Sequence, residues 1–524
     1  MKLKPFKRAP LLVAGGVIIF ICLVRLLRLD FFERLEWMTY DLRARMALHF
    51  PAPAATNLAF VAIDESSIAA VQNGSVGFHF GLYWPREVYG RLVDELSQEG
   101  AQAAAFDVLF SDLRPDHPPV QMTDGSFVES DDFFARQMRR AGNVILAAEP
   151  GTIPPDLFRT NALALGDILT EKDADGILRR AKAFSIFRLW HPLFRAAANT
   201  YNLDLSAAKF TAGKIILPQT GTTNIVEVPV DAETNFSVAD FVGDKLPPGM
   251  SSKARAFTDE RVWNMGIVLA AQSLKLDLAR AEVDLPRGKI ILRGENGIER
   301  IIPVDAGGYF YIDWRLKPND PHLLEAPIES LLWQDDQRLQ GKTNGLKNYF
   351  RGKLVVVGST AQGNDLPDRG AMPLQKDTFL ASKHWNIANS VITGQFIRRA
   401  SLPVELALII LLGAATAFLT WQLRAFSALG GTFLLAAIYT AVAFFVVIQF
   451  RYCLPLVFPV RSIRSIPARH PARSSAPARE AAAPRAVPLA VPSSRCPAPR
   501  PHAPSASEQK ASAAPAQLQA QLQP

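Results

Sequence analysis

Cysteine is scarce in this sequence, and its distribution excludes two kinds of site. The 524 residues contain three cysteines, Cys22, Cys453 and Cys496, so the long stretch between the first two has none. That stretch therefore contains no disulfide and no metal site built from cysteine thiolates. A region without cysteine is compatible with export from the cytoplasm, although it does not require it.

Known catalytic motifs are also missing. The sequence has no GxSxG nucleophile elbow, no kinase HRD or DFG triplet and no HExxH metalloprotease helix. The histidines lack paired ligand spacing, and GKLVVVGST (352–360) lacks the GxxxxGK[ST] pattern of a phosphate loop. We therefore predict no metal, no cofactor and no enzymatic activity in this chain.

The net charge of +8 comes almost wholly from the C-terminal tail. Residues 461–524 contain nine basic and two acidic residues, a net charge of +7, so the positive charge does not indicate nucleic-acid binding by the folded part. The tail has twelve prolines and no aromatic residue, which predicts disorder. Two interpretations remain open. The tail is a genuine segment that touches anionic lipid or cell-wall polymer, or it is out-of-frame translation from about residue 460, which the repeated PAR and PAP triplets favour.

Three long apolar runs are present, and they predict transmembrane helices at residues 9–29, 403–423 and 425–448. A bilayer needs roughly 20 apolar residues, and the basic residues of segment 1–8 favour a cytoplasmic N-terminus. No small-x-small cleavage site follows the first run directly, which favours an uncleaved anchor over a signal peptide. Segment 452–460 begins like a further helix and then stops.

This topology predicts a multi-pass inner-membrane protein with residues 30–400 in the periplasm. Arg398 and Arg399 then lie on the external side, against the usual excess of positive charge inside. The size of the 30–400 domain outweighs them, because long domains translocate largely regardless of charge.

The 30–400 region has the pattern of an α/β fold with a mainly parallel sheet. Residues 58–63, 103–110, 143–148 and 353–357 are apolar runs of strand length, and 86–98 has helical spacing. Apolar strands separated by helices favour a parallel sheet covered on both faces, whose ligand crevice lies at the strand C-termini. The polar residues at those ends are Asp64, Glu65, Ser67, Asp107, Ser111, Asp112, Ser359 and Thr360.

Several segments of this region carry a resemblance to a known family. They are LEWMTYDLRAR (35–45), VAIDESSI (61–68), WPREVYGRLVDEL (84–96), EGAQAAAFDVLFSD (99–112), DADGILRRA (173–181), IPVDAGGYFYIDWR (302–315) and GKLVVVGSTAQGNDLPD (352–368). Together they resemble the type-two CHASE (CHASE2) sensor domain and the stalk that leads into it. The resemblance implies an extracytoplasmic domain with one preceding helix and usually three following ones. It also implies a homodimer, an undefined small ligand and a cytoplasmic cyclase or kinase as output.

Residues 182–241 and 255–314 look like two copies of one unit. The matching segments are KAF and RAF, RLW and RVW, and repeated LDL, GKIIL and PVD, at offsets of 73 to 75 residues. Each copy predicts a helix followed by two strands joined by a turn. Because two copies are too few for a solenoid, we predict a pseudo-symmetric pair packed side by side within one domain.

Six residues are the candidate ligand-binding side chains: Asp64, Glu65, Trp84, Arg86, Asp107 and Asp112. The four carboxylates suit a divalent cation, but capping of a helix that begins after Asp64 is the favoured alternative. The tryptophan and arginine suit an anionic ligand, but a packed tryptophan with proline at a helix start is favoured. Arg179 and Arg180, which follow Asp173 and Asp175, are predicted to form ion pairs at the surface of a turn.

The favoured function is a membrane-anchored extracytoplasmic sensor that resembles the receptor half of a cyclase or sensor kinase, with the output domain absent from this chain. The first alternative is an envelope-binding structural or adaptor protein that signals through a separate partner. The second is an extracytoplasmic hydrolase that uses the carboxylates of Asp64 and Asp107. The expected partners are the lipid bilayer and a small ligand, and not nucleic acid.

Overall fold

The computed structural model describes residues 9–27, 30–81, 83–242, 251–361 and 369–456, which all belong to one unit, Met1–Ala468. The predictions for segment 1–8, for residues 28–29 and for the tail from 457 onward lie outside the described residues.

The described residues contain thirteen α-helices and twenty-four short or long strands. The helices are α1 Ala9–Leu27, α2 Asp30–Ala47, α3 Glu65–Asn73, α4 Arg86–Glu99, α5 Ser130–Ala141, α6 Asp156–Arg159, α7 Pro192–Tyr201, α8 Ala239–Val242, α9 Met265–Leu274, α10 Ile328–Leu339, α11 Ser382–Thr393, α12 Leu402–Gln422 and α13 Ala425–Phe450. The strands are β1 Leu58–Ile63, β2 Ala103–Asp107, β3 Val120–Gln121, β4 Phe127–Val128, β5 Val144–Ala148, β6 Ala164–Asp167, β7 Arg180–Lys182, β8 Phe184–Trp190, β9 Lys209–Thr211, β10 Lys214–Pro218, β11 Ile225–Pro229, β12 Asn235–Ser237, β13 Lys253–Arg255, β14 Phe257–Trp263, β15 Glu282–Asp284, β16 Lys289–Arg293, β17 Glu299–Pro303, β18 Tyr309–Tyr311, β19 Leu324–Pro327, β20 Leu354–Ser359, β21 Arg369–Gly370, β22 Thr378–Phe379, β23 Arg398–Arg399 and β24 Tyr452–Cys453.

Six parallel strands form the central sheet, in the order β19-β1-β20-β2-β5-β6. The four apolar runs predicted as strands are β1, β2, β5 and β20, so the predicted mixed α/β fold with a parallel sheet is confirmed. Strand β2 ends at Asp107, three residues before the predicted end at Phe110. The sheet thus places the C-terminal ends of the predicted strands along one edge.

Helices cover both faces of this sheet. In β1 the side chains alternate, so Leu58 and Phe60 contact the core that includes residues of α9 and α11. Ala59 and Val61 contact the opposite core, which includes residues of α4, α5 and α10. Strands that are apolar on both sides therefore bury both sides, as the uninterrupted runs predict.

Helix α4 shows how local sequence sets one of these layers. Val88, Leu92 and Leu96 recur at helical spacing and are buried against the sheet, and Gly100 ends the helix in the left-handed conformation at φ 81°. Gly90 allows α5 to approach, because a Cβ at this position would lie 2.7 Å from the ring of Phe133.

Two smaller antiparallel units are inserted between β6 and β19. In the first, α7 is followed by a sheet of order β11-β10-β9, and in the second, α9 is followed by a sheet of order β15-β16-β17. Each unit thus has the predicted helix but three strands instead of two. Strands β8 and β14, which precede the two helices, pair with each other in antiparallel fashion.

Two helices of the described ranges, Leu402–Gln422 and Phe426–Phe450, are long and apolar enough to cross a membrane. The apolar part of α1 is shorter, Ala14–Leu27, and α1 packs on α12, where Arg25 pairs with Glu405. The structure differs from the sequence prediction after α13, because Tyr452–Cys453 is a strand that pairs with Arg398–Arg399 and not the start of a helix.

Charged groups are buried where α4 packs on α10. Arg338 donates a hydrogen bond to Glu95 at 2.7 Å, and the Asp335 carboxylate lies 3.9 Å from the Arg91 guanidinium. The Asp335 side chain is 4% exposed, and burial raises the pKa of Asp335 to about 7 although Arg91 opposes this shift. The folded protein therefore holds a carboxyl group that resists ionisation.

The Asp335→Asn variant should remove a pH-dependent loss of stability. Because the pKa of Asp335 is higher in the folded protein than in the unfolded chain, its contribution to stability decreases as pH rises from about 4 to about 7. A shift of this size corresponds to at most about 4 kcal/mol, so we expect a free energy of unfolding roughly 1 to 3 kcal/mol higher in the variant at about pH 8, with little difference at about pH 4. The measurement is unfolding of the full-length protein in lipid nanodiscs across this pH range.

Glu260→Gln is the matched control, since Glu260 is an exposed carboxylate on strand β14. A difference between Asp335→Asn and the wild type that is the same at both pH values would contradict the assignment.

Candidate functional site

At the C-terminal edge of the central sheet, two of the predicted residues lie on either side of strand β20. Ile63 of β1 pairs with Ser359 of β20, and Asp107 of β2 pairs with Gly358 on the other side of β20. Asp64 follows Ile63 directly, so Asp64 and Asp107 flank the same strand at the same edge. This is the position where parallel sheets bind ligands.

Asp64 is the N-cap residue of helix α3. Its Oδ1 accepts a hydrogen bond from the Ser67 amide at 2.8 Å, and the Ser67 hydroxyl in turn lies 3.2 Å from the Asp64 amide, which together form a capping box. Burial would raise the pKa of Asp64, but the hydrogen bonds from Ser66 and Ser67 outweigh burial and lower it. Glu65 lies exposed in the first turn of the helix. The geometry is thus that of the favoured capping alternative.

Asp107 lies beside a histidine that sequence reasoning did not select. Its Oδ2 is 3.4 Å from Nε2 of His384 on α11, and the two side chains are 6% and 0% exposed. Burial would raise the pKa of Asp107, but His384 and the neighbouring Lys383 outweigh burial and lower it. Lys383 itself is buried and donates to the Ile168 carbonyl and the Thr170 hydroxyl. The edge therefore contains a buried acid–base pair.

Trp84, Arg86 and Asp112 meet at the start of α4. Trp84 is buried, with its ring 6.1 Å from that of Tyr89, and the Arg86 guanidinium lies 4.8 Å above the ring of Phe110. Arg86 donates to the backbone carbonyl of Asp112 at 3.1 Å, and burial lowers the pKa of Arg86. The packed-tryptophan arrangement that the sequence favours is thus what the structure contains.

The six predicted residues therefore divide among three places. Asp64 and Glu65 begin α3, the Trp84 group begins α4, and Asp107 faces α11. The Trp84 group and Asp107 lie on opposite faces of the sheet. Phe110, which contacts Arg86, belongs to the core between the sheet and α4, whereas Ile387 of α11 belongs to the core on the opposite face. Within the described ranges, no three His, Cys, Asp or Glu side chains converge in a way that could hold a metal ion.

A second charged cluster joins the stalk helix α2 to the domain. Arg179 is fully buried and donates to both carboxylate oxygens of Asp41 at 2.8 Å. It also donates to Asp175 at 2.7 Å and to Asp173 at 3.1 Å, and its guanidinium lies 5.3 Å from the ring of Trp37. The predicted ion pairs of Arg179 with the nearby aspartates are present, but their predicted location at the surface was wrong, because Arg179 is buried and also pairs with Asp41, 138 residues away.

The electrostatics of this cluster favour the charged arginine. Burial would lower the pKa of Arg179, but the hydrogen bonds to Asp41 and Asp175 outweigh it and raise the pKa. Burial raises the pKa of Asp41, although Arg179 opposes this shift. Removal of one partner from a buried ion pair typically costs about 3 to 5 kcal/mol, so the cluster is a strong attachment of α2.

Further hydrogen bonds attach α2 at its C-terminal end and along its length. Arg315 donates to the carbonyl of Ala47 at 2.6 Å, at the C-terminal end of the helix. Arg43 donates to the carbonyl of Leu454 at 2.7 Å, and the Leu456 amide donates to Glu36 at 2.8 Å. The stalk therefore contacts both the domain and the segment that follows α13.

Comparison with known proteins supports the resemblance seen in the sequence. A family model described as the CHASE2 domain matches residues 16–419, which includes most of α1 and α12 besides the domain between them. The searches of curated proteins and of solved structures found no match. Because the family model covers 404 of the 524 residues, the chain belongs to the CHASE2 domain family of sensor domains.

Proposed function

We propose that the protein is a membrane-anchored sensor in which the CHASE2 domain controls the position of the stalk helix α2. The observation that carries this proposal is the buried Arg179 cluster, which ties Asp41 of the stalk to Asp173 and Asp175 of the domain. A signal must pass through elements that the domain and the membrane helices share, and α2 directly precedes the domain and contacts α13. A shift of the domain is thus transmitted to the membrane by the stalk.

A route from the sheet edge to the stalk supports this proposal. Helix α11 carries His384 at the edge, and the same turn of the helix carries Asn386, whose Oδ1 accepts hydrogen bonds from the Arg315 and Leu316 amides at 2.9 Å. Arg315 in turn donates to Ala47 at the end of α2. A small ligand that moves α11 would therefore act on the stalk.

We further propose that α1, α12 and α13 cross the inner membrane, with residues 30–400 in the periplasm. The support is the length and apolar composition of α12 and α13 and the contact of α1 with α12. A Cβ on Gly413 of α12 would lie 2.6 Å from the side chain of Ile18, so these two helices approach closely.

The inserted units are best explained as a duplication. Strands β8 and β14 pair with Phe184 opposite Trp263 and Trp190 opposite Phe257, so positions related by 73 residues exchange partners. The strands at the ends of the units pair in the same reciprocal way. Strand β7 at the start of the first unit pairs with β18 at the end of the second, and β12 at the end of the first pairs with β13 at the start of the second. We propose that residues 182–241 and 255–314 are copies related by a local pseudo-twofold axis.

We propose that this chain is an input module without enzymatic activity of its own. The adaptor alternative differs in one respect, because it requires a separate partner to carry the signal.

A single cysteine should report the location of the domain. With Cys22, Cys453 and Cys496 replaced by alanine, Thr123→Cys places a thiol in an exposed turn between β3 and β4. We expect a membrane-impermeant maleimide to label this variant in intact spheroplasts. Lys4→Cys in the same background is the control and should react only after the membrane is permeabilised. The reverse pattern would contradict the proposed topology.

The Asp41→Asn variant should loosen the stalk while the sheet stays intact. The amide keeps the size of the side chain but removes the charge that faces Arg179, and we expect a loss of roughly 1 to 3 kcal/mol because Asp173 and Asp175 remain. Hydrogen exchange of residues 30–47 should therefore quicken by about tenfold or more, with β1 and β20 unchanged. Glu87→Gln, which removes an ion pair on α4, is the control. Unchanged exchange in the stalk would show that the cluster does not hold α2.

Purified full-length protein in nanodiscs should form no cyclic nucleotide and no phosphoprotein from ATP or GTP. A soluble cyclase added to a parallel sample verifies the assay. Product formation by the protein alone would contradict the proposal, whereas a kinase or cyclase that copurifies in stoichiometric amount would favour the adaptor alternative.

A further inference from the structure

We propose that a cavity in the first inserted unit binds a small organic anion with an aromatic or short aliphatic body. The cavity has a volume of about 450 Å³, a size suited to one small molecule, and lies between β8, α7, β9 and the segment before α6. The side chains that decide its chemistry are Arg159, Arg188, Arg195, Ile186, Trp190 and Phe210.

One end of the cavity has an excess of positive charge. The carboxylate of Asp156 accepts hydrogen bonds from Arg159 at 2.8 Å and from Arg195 at 2.5 Å, so two guanidinium groups share one carboxylate. The Nε of Arg195 is buried and has no hydrogen-bond partner among the described residues. A buried donor without an acceptor is unfavourable, and an anionic head group beside Arg195 would supply both the missing acceptor and the missing charge.

The walls of the cavity are apolar and aromatic. Trp190 is stacked with Phe210, with ring centroids 6.2 Å apart, and Ile186 and Phe210 are 55% and 43% exposed. Arg188 is neutralised by both oxygens of Asp259 at 2.9 and 3.0 Å, and its guanidinium covers the ring of Phe257. This part of the cavity therefore favours the apolar body of a ligand, because burial of apolar surface is favourable and Arg188 already has a counterion.

In the second inserted unit, the residues that correspond to the cavity-lining Arg195 and Phe210 pack against the core of the domain. At the offset of 73 residues, Arg195 corresponds to Val268 and Phe210 to Val283, and both valines contact the core of the central sheet. In the second unit these two positions are thus covered by the core of the central sheet, whereas in the first unit they line an open cavity.

This inference rests on the proposed function in one respect, because it makes the cavity an input of the sensor. It uses the proposed duplication only for comparison, and binding is measured independently of signalling.

The probe is 2-naphthoate, titrated calorimetrically against full-length protein in lipid nanodiscs, with 2-naphthalenemethanol as the uncharged counterpart and empty nanodiscs as the blank. We expect the wild type to bind naphthoate with a dissociation constant below about 1 mM and to bind the alcohol at least about tenfold more weakly. Arg195→Gln and Arg159→Gln should each weaken binding of naphthoate by about tenfold. Arg293→Gln, which changes an exposed arginine of the second unit, should leave binding unchanged.

Ala208→Phe tests the cavity without removing a charge, since Ala208 lines it. This variant should abolish binding of naphthoate while its unfolding temperature stays near that of the wild type. If an arginine variant fails to fold, Ala208→Phe still tests whether the cavity is the binding site. Equal binding of acid and alcohol, or binding that survives Ala208→Phe in a folded protein, would overturn the proposal. Binding that leaves the hydrogen exchange of α2 unchanged would support the cavity and count against the sensor mechanism, so the two proposals fail separately.

Discussion

A parallel sheet whose strands are apolar on both sides has to be covered on both faces, and this requirement sets the arrangement of most of the molecule. Helices α4, α5 and α10 cover one face, and α9 and α11 cover the other. Because α9 belongs to the second inserted unit, that unit becomes part of the core and not an appendage. The polar ends of β1 and β2 are left at one edge, where Asp107 meets His384 of the covering helix α11. The edge with this acid–base pair and the proposed route to the stalk therefore share helix α11.

The stalk is held by charge instead of by apolar packing alone. Arg179, buried between Asp41, Asp173 and Asp175, makes directional hydrogen bonds that exist only in a narrow range of positions of α2. Apolar contacts tolerate small shifts, whereas an unpaired buried charge is costly. An attachment of this kind restricts α2 to a narrow range of positions, which suits the sensor mechanism proposed above.

The two inserted units have similar sequence patterns but pack in different surroundings. Their strands pair reciprocally, yet only the second unit packs its helix into the core of the central sheet, where Gly266 also permits close approach of α11. The first unit has Arg195 in place of Val268, and this side of its helix lines an open cavity. The duplication proposed above would thus leave one copy in the core and the other free to form the proposed binding surface.

The sequence alone determined the features that depend on neighbouring residues. Uninterrupted apolar runs predicted β1, β2, β5 and β20 and hence the parallel sheet, helical spacing predicted α4, and the aspartate–serine pattern predicted the cap of α3, because periodicity and capping are local. The placement of buried charge was decided only by the tertiary structure. Asp107 and His384 are 277 residues apart. Arg179 was expected at the surface because nearby aspartates indicated an exposed turn, whereas its partner Asp41 is 138 residues away. Whether a charged side chain is exposed or buried depends on what the rest of the chain packs against it, and no local pattern carries that information.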